Sequence, residues 1–188
     1  NVFMTHVDVD HAGGMDKKWN LIFPNVQVYI GNEEEQYLTG KMYRMKKLGF
    51  LKLKVGVSLK NDYKLLSDGE IINIGDIKIE AIHIPGHTLG HMCYVIDDSI
   101  LVTGDCLVIN EDGGYPFWNF FTQNSELNRK SLQKLKKFVQ DKNILSVCTG
   151  HSGYRKYNDS IFAHISETAN YGKKKHFDED APEDYTKY

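Results

Sequence analysis

Three hydrophobic segments of this chain end alike, on a glycine followed at once by histidine or aspartate: Gly86-His87, Gly104-Asp105 and Gly150-His151. A fourth cluster opens the sequence, where His6, Asp8, Asp10 and His11 fall within Thr5-His6-Val7-Asp8-Val9-Asp10-His11-Ala12-Gly13-Gly14. Glycine lets a backbone turn tightly at a strand end. Each end delivers a side chain that ligates metals, and imidazole with carboxylate suits zinc, iron, manganese or nickel better than calcium or magnesium. An acidic surface turn that happens to hold two histidines accounts for the opening cluster alone. It does not account for three further strand ends of the same kind, so the fold is expected to bring all four to one metal site.

The segments between these motifs alternate strand and helix signals. Asn1–Thr5 reads as a short buried strand, and a helix is expected after Gly13-Gly14 to about Asn20. Val26–Ile30 alternates like a strand, and Asn32-Glu33-Glu34-Glu35 reads as the acidic start of a helix running to about Lys47. Lys41, Arg44, Lys46 and Lys47 then form its solvated basic end. Residues 50–84 look like β hairpins, with turns at Ser67–Glu70 and Gly75-Asp76, and a further hairpin turns at Asp97-Asp98. Asn124–Gln140 is an amphipathic helix, Ile144–Gly150 a buried strand, and 158–172 a final helix. Residues 1–172 are expected to form one domain, with 173–188 a charged tail.

Composition narrows the classes of function. A chain of 188 residues with 41% hydrophobic and 26% charged residues buries a core of ordinary size. Its net charge of −2 gives no electrostatic reason to expect nucleic acid or an anionic membrane as a partner. No apolar run approaches the roughly 20 residues that span a bilayer. Cys93, Cys106 and Cys148 follow no CxxC spacing, which argues for reduced thiols and a cytoplasmic protein. The chain opens at Asn1 directly on a strand, five residues before the cluster, so it is expected either to lack N-terminal strands or to begin at a cleavage boundary.

Together, Thr5–Gly14, Ile84-Pro85-Gly86-His87-Thr88-Leu89-Gly90-His91, Thr103-Gly104-Asp105 and Thr149-Gly150-His151 resemble the metallo-β-lactamase superfamily. The likeness is greatest to its glyoxalase II and lactonase-like hydrolases. The resemblance implies an α+β fold, a four-layer αββα sandwich with the metal site at one edge and with β strands upstream of the first motif. It implies two divalent metal ions, zinc by preference. His6, Asp8 and His87 would hold the first ion and Asp10, His11 and His151 the second, with Asp105 bridging. Such a pair of ions activates a shared water for hydrolysis, and Asp10 is a further catalytic residue that orients the water or moves its proton. Thr88 and His91 read as groups that orient ligands, while His83, His164 and His176 belong to no motif and read as structural or surface residues.

One departure stands out. The family pattern is H-x-H-x-D-H, whereas here His6-x-Asp8-x-Asp10-His11 puts a carboxylate in place of the middle imidazole. If Asp8 ligates directly, its harder oxygen shifts preference towards iron or manganese, and the flavodiiron branch is similar in using H-x-E-x-D-H. The leading expectation is an enzyme that hydrolyses a small ester, thioester or lactone. Alternatives are a non-haem iron redox protein of the same fold and an inactive metal-binding scaffold. The substrate is a small molecule. After Asp105, the aromatic run Tyr115, Pro116, Phe117, Trp118, Phe120 and Phe121 either walls its pocket, with Tyr115 donating to the substrate carbonyl, or serves core packing or a contact in a homo-oligomer.

Overall fold

Alternation of side chains along a strand decides how this molecule is layered, because it presents successive residues to opposite faces of a sheet. The computed structural model describes residues 1–17, 24–42, 44–48, 51–54 and 56–167. The charged tail, His176 and the ends of two expected helices lie outside them.

In chain order the elements are β1 (Val2–Phe3), α1 (Val9–Ala12), β2 (Val28–Gly31), α2 (Glu35–Leu38), β3 (Met45–Leu48) and β4 (Leu51–Lys54). They continue with β5 (Tyr63–Leu66), β6 (Ile71–Ile74), β7 (Ile77–His83), β8 (Met92–Ile96), β9 (Ile100–Gly104), β10 (Leu107–Asn110) and β11 (Gly113–Pro116). The last are α3 (Ser125–Val139), β12 (Ser146–Thr149) and β13 (Tyr154–Lys156).

A six-stranded sheet has the order β13-β12-β9-β8-β7-β6, and a three-stranded sheet the order β1-β2-β5. On β7 and β8, Ile82, Cys93 and Val95 face α3 and pack with Leu132, Leu135 and Val139. The alternate residues Ile79, Ala81 and Tyr94 face the smaller sheet and pack with Phe3, Tyr29 and Leu66. The far face of that sheet, Val28 and Ile30, is covered by Met4, Val7, Ala12, Met15 and Tyr37. Helix, sheet, sheet and short helices make the four layers of the expected αββα sandwich.

Local chemistry explains the tight connections. Asp97 and Asp98 take φ of 48° and 53°, the left-handed conformation with which they open the three-residue turn 97–99 between β8 and β9. Helix α3 is capped by Asn124, whose side chain accepts from the Leu127 N–H.

Four expectations need correction. Helical structure spans Val9–Met15 and ends at Asp16, whose ψ of 131° is extended, so it begins before Gly13-Gly14 rather than after. The helix from Glu35 stops at Leu38, and the turn through Gly40 (φ 76°) leads into β3, which pairs antiparallel with β4. Ser67–Glu70 does not close a hairpin: β5 pairs parallel with β2, and the turn carries the chain across to the larger sheet after Leu66 is buried between the two. Beyond Asn158 the described chain forms a short 3-10 turn, Asp159–Phe162, instead of a long helix.

Candidate metal centre

The two sheets bring the predicted ligands to one edge. β9 and β12 run parallel as neighbours, with Gly104 opposite Thr149, so Asp105 and His151 leave adjacent strand ends side by side. His6 and Asp8 follow β1, while α1 carries Asp10 and His11. His87 lies on the loop between β7 and β8. All seven predicted ligands fall into two groups, Asp10–His11–Asp105–His151 and His6–Asp8–His87, with ligand atoms in each group within 4.8 Å of one another.

In the first group, His151 Nε2 stands 3.1 Å from both Asp10 Oδ2 and Asp105 Oδ2, and His11 Nε2 lies 3.2 Å from Asp105 Oδ1. Ligands of a tetrahedral ion at about 2.0–2.2 Å stand roughly 3.3–3.5 Å apart, so these spacings fit one ion with little movement. The chain reserves the space. At Gly150 a Cβ would sit 1.9 Å from Asp105 Oδ1 and 2.8 Å from the His11 ring. Glycine is required for room at this position, and at Gly104 (φ 53°) and Gly86 (φ 145°) it is required both for room and for the positive φ of the turn.

Charge also favours a cation there. Burial opposes ionisation of Asp105, but hydrogen bonds from His11 and His151 hold its carboxyl well below the carboxylate range. Asp10 is held low by its bond to His151. His151 is pushed up to about 10 by Asp10 and Asp105, so an incoming ion displaces a proton from it. Burial lowers His6 and His87 instead, which keeps both imidazoles neutral and able to ligate.

Supporting contacts fix the rings. Thr5 Oγ1 lies 3.0 Å from His6 Nδ1, which leaves the buried Nε2 aimed into the site without a hydrogen-bond partner. The Asp105 N–H donates to His91 Nε2 at 3.1 Å, so His91 orients a ligand-bearing loop as expected. Thr88 donates to Glu34 Oε2 at 2.7 Å, and Glu34 Oε1 accepts from the Val7 N–H at 2.9 Å. Glu34 thereby staples the His6–Asp8 loop to the His87 loop. Its role was invisible in sequence, where it is one of three consecutive glutamates.

Arg44 was missed for a similar reason. Assigned to a solvated helix end, it is instead buried, and its guanidinium grips Asp8: Nε donates to Oδ1 at 3.0 Å and Nη2 to Oδ2 at 2.9 Å. Nη2 also donates to the Phe121 carbonyl at 2.7 Å and lies 3.3 Å from His87 Nε2.

Over the ligands lies a cavity of about 270 Å³ lined by Asp8, Asp10, His87, Asp105 and His151 on one side and Val9, Phe117, Trp118 and Phe121 on the other. The aromatic run therefore contributes a wall. Tyr115 does not: its ring stacks on His164 at 4.5 Å, its hydroxyl donates to Asp112, and it packs in a cluster with Val108 and Phe117. Its place on β11 opposite Val108 sets that direction, which corrects the expectation that Tyr115 meets a substrate carbonyl. His83 and His164 lie outside both ligand groups, as expected; His83 Nε2 is 2.8 Å from the Leu89 carbonyl oxygen.

Known proteins share the sequence pattern and the fold. The model of the Metallo-beta-lactamase superfamily matches residues 1–151. A hydroxyacylglutathione hydrolase of Maricaulis maris is 32% identical over 107 residues, 56% of this chain and 33% of that protein. A probable polyketide biosynthesis zinc-dependent hydrolase of Bacillus subtilis is 29% identical over 157 residues, 80% of this chain and 56% of that one. An archaeal metallo-beta-lactamase superfamily protein from Sulfolobus tokodaii shares the fold with a TM-score of 0.55 at 18% identity, covering 83% of this chain and 63% of that structure. The chain spans only a third to just over half the length of these two curated relatives.

Proposed function

This chain belongs to the metallo-β-lactamase superfamily, and on that footing we propose that it is a metal-dependent hydrolase of a small ester, thioester or lactone. The observation that carries this reading is the set Asp10, His11, Asp105 and His151, of which Asp10, Asp105 and His151 line an aromatic-walled cavity. Two imidazoles and two carboxylates favour zinc over calcium or magnesium, and the zinc-dependent relative agrees with that preference. When bound, such an ion lowers the pKa of a water and polarises the carbonyl under attack.

The chain's own groups supply the rest. His11, Asp105 and His151 would hold the ion and leave it a position open to water. Asp10, half exposed at the cavity mouth and held as a carboxylate by His151, would accept a proton from that water and return it to the leaving group. Phe117, Trp118 and Phe121 take the apolar part of an acyl group and exclude water from one side. A cavity of about 270 Å³ suits a small acyl moiety. Acyl-group hydrolysis is also the activity printed in the name of the Maricaulis relative. Buried free thiols at Cys93 and Cys106 suit a reducing compartment, and we place the protein in the cytoplasm on that ground. No helix among the described residues is long and apolar enough to cross a membrane.

The test is a panel of short-chain esters, acyl thioesters and lactones offered to the zinc-loaded protein and to Asp105→Asn. The reading expects turnover of at least one class, reduced by 10³-fold or more in the variant. Equal rates for the two proteins on every substrate would overturn it, and oxygen consumption with iron loaded would support the redox alternative.

A further inference from the structure

The His6–Asp8–His87 group already contains a cation from the protein. Arg44 meets Asp8 as a fork, using Nε and Nη2 on the two carboxylate oxygens, and so occupies both atoms through which Asp8 would ligate. The same Nη2 lies 3.3 Å from His87 Nε2 and is anchored from behind by the Phe121 carbonyl. His87 Nε2 is itself 3.5 Å from Asp8 Oδ2. One guanidinium nitrogen thus stands against two of the three ligand atoms that would define an ion here, inside a pocket where Arg44 is 3% exposed.

The departure in the opening motif is the counterpart of this arrangement. An imidazole at position 8 has no geometry for two parallel bonds to a guanidinium, whereas a carboxylate matches it atom for atom. Asp8 and Arg44 therefore form a complementary pair, 36 residues apart in sequence. The Asp10–His11–Asp105–His151 group differs: among the described residues its carboxylates meet only histidines, and no guanidinium or ammonium stands between them.

We infer that the centre holds a single divalent ion, within the Asp10–His11–Asp105–His151 group, and that the Arg44 guanidinium stands permanently in the place of the other. This rests on the metal-dependent reading above and revises the two ions that the sequence resemblance implies. Arg44 then gives a fixed positive charge beside the reaction site that neither dissociates nor exchanges.

The experiment is zinc titration of the protein by calorimetry, with elemental analysis after dialysis, neither of which depends on turnover. The wild-type protein is expected to bind one equivalent. Arg44→Ala, which frees Asp8, and the double variant Asp8→His, Arg44→Ala, which restores the family pattern, are each expected to bind two. Near-ultraviolet circular dichroism establishes that the variants fold, and the wild-type count stands without them. Two equivalents on the wild-type protein would overturn the inference, as would one equivalent on both folded variants. No binding by the wild-type protein would overturn both this inference and the metal-dependent reading. One equivalent with no hydrolysis of any substrate would leave the inference standing and sink only the proposed activity.

Discussion

Single residues at this edge are constrained by charge more than by packing. A guanidinium nitrogen and a divalent ion about 3 Å apart would repel by on the order of 10 kcal/mol at an effective dielectric of about 20, so Arg44 and an ion compete for Asp8. Glu34 shows the same economy of space. Fully buried between Val7 and Thr88, its carboxyl is raised by that burial to about 7. A carboxyl raised on folding stabilises the fold at low pH and loses that contribution as pH rises through its folded value. Between the ordinary glutamate range and about pH 7, the wild-type protein should therefore lose up to about 3 kcal/mol relative to Glu34→Gln, taking about 1.4 kcal/mol for each pKa unit. Urea unfolding of both proteins at pH 5 and pH 8 checks this. A stability difference that stays constant across the range would mean that Glu34 ionises freely in the fold.

Among the elements, α3 does most to hold the ligand loops in register. Asn128 Nδ2 donates to the Cys106 carbonyl at 2.8 Å, just after Asp105. Gly86, just before His87, lies so close that a Cβ there would meet the Asn128 backbone at 2.4 Å. Ser131 adds a bond to the Pro85 carbonyl at 2.7 Å, and the Gln123 N–H donates to the His87 carbonyl at 3.0 Å. The α3 turn 128–131, with Gln123 just ahead of the helix, thus clamps two loops that come from different strands. Asn128→Ala leaves the buried Cys106 carbonyl without that donor and should cost about 1–3 kcal/mol of stability. Because the clamp also sets loop positions, zinc affinity should fall about 10- to 100-fold. Thermal denaturation and zinc titration of the variant measure the two effects, and an unchanged zinc affinity would show that the loops hold their positions without the helix.

The whole molecule repeats one device: strands from two sheets end at a common edge, and the ligands sit just beyond their ends. That much was legible in the sequence, because each of Gly86-His87, Gly104-Asp105 and Gly150-His151 is a local motif at the end of an apolar run. The αββα layering was legible only as what the family resemblance carried by those motifs implies. What could not be read was set by contacts distant in sequence. Arg44 sits among lysines that imitate a helix end, and only its approach to Asp8 distinguishes it. Glu34 is marked only by its burial against Val7 and Thr88. Tyr115 looked like its aromatic neighbours until strand pairing with Val108 directed it elsewhere.

These strand ends converge, on this account, to make a one-ion hydrolytic centre, and that is best tested by adding zinc stepwise to the metal-stripped protein while following hydrolysis of a short acyl thioester, ester or lactone drawn from the active class. Activity should rise in proportion to zinc and level off at one equivalent per chain. Hydrolysis that ignores added zinc, or that rises only as a second equivalent binds, would contradict it.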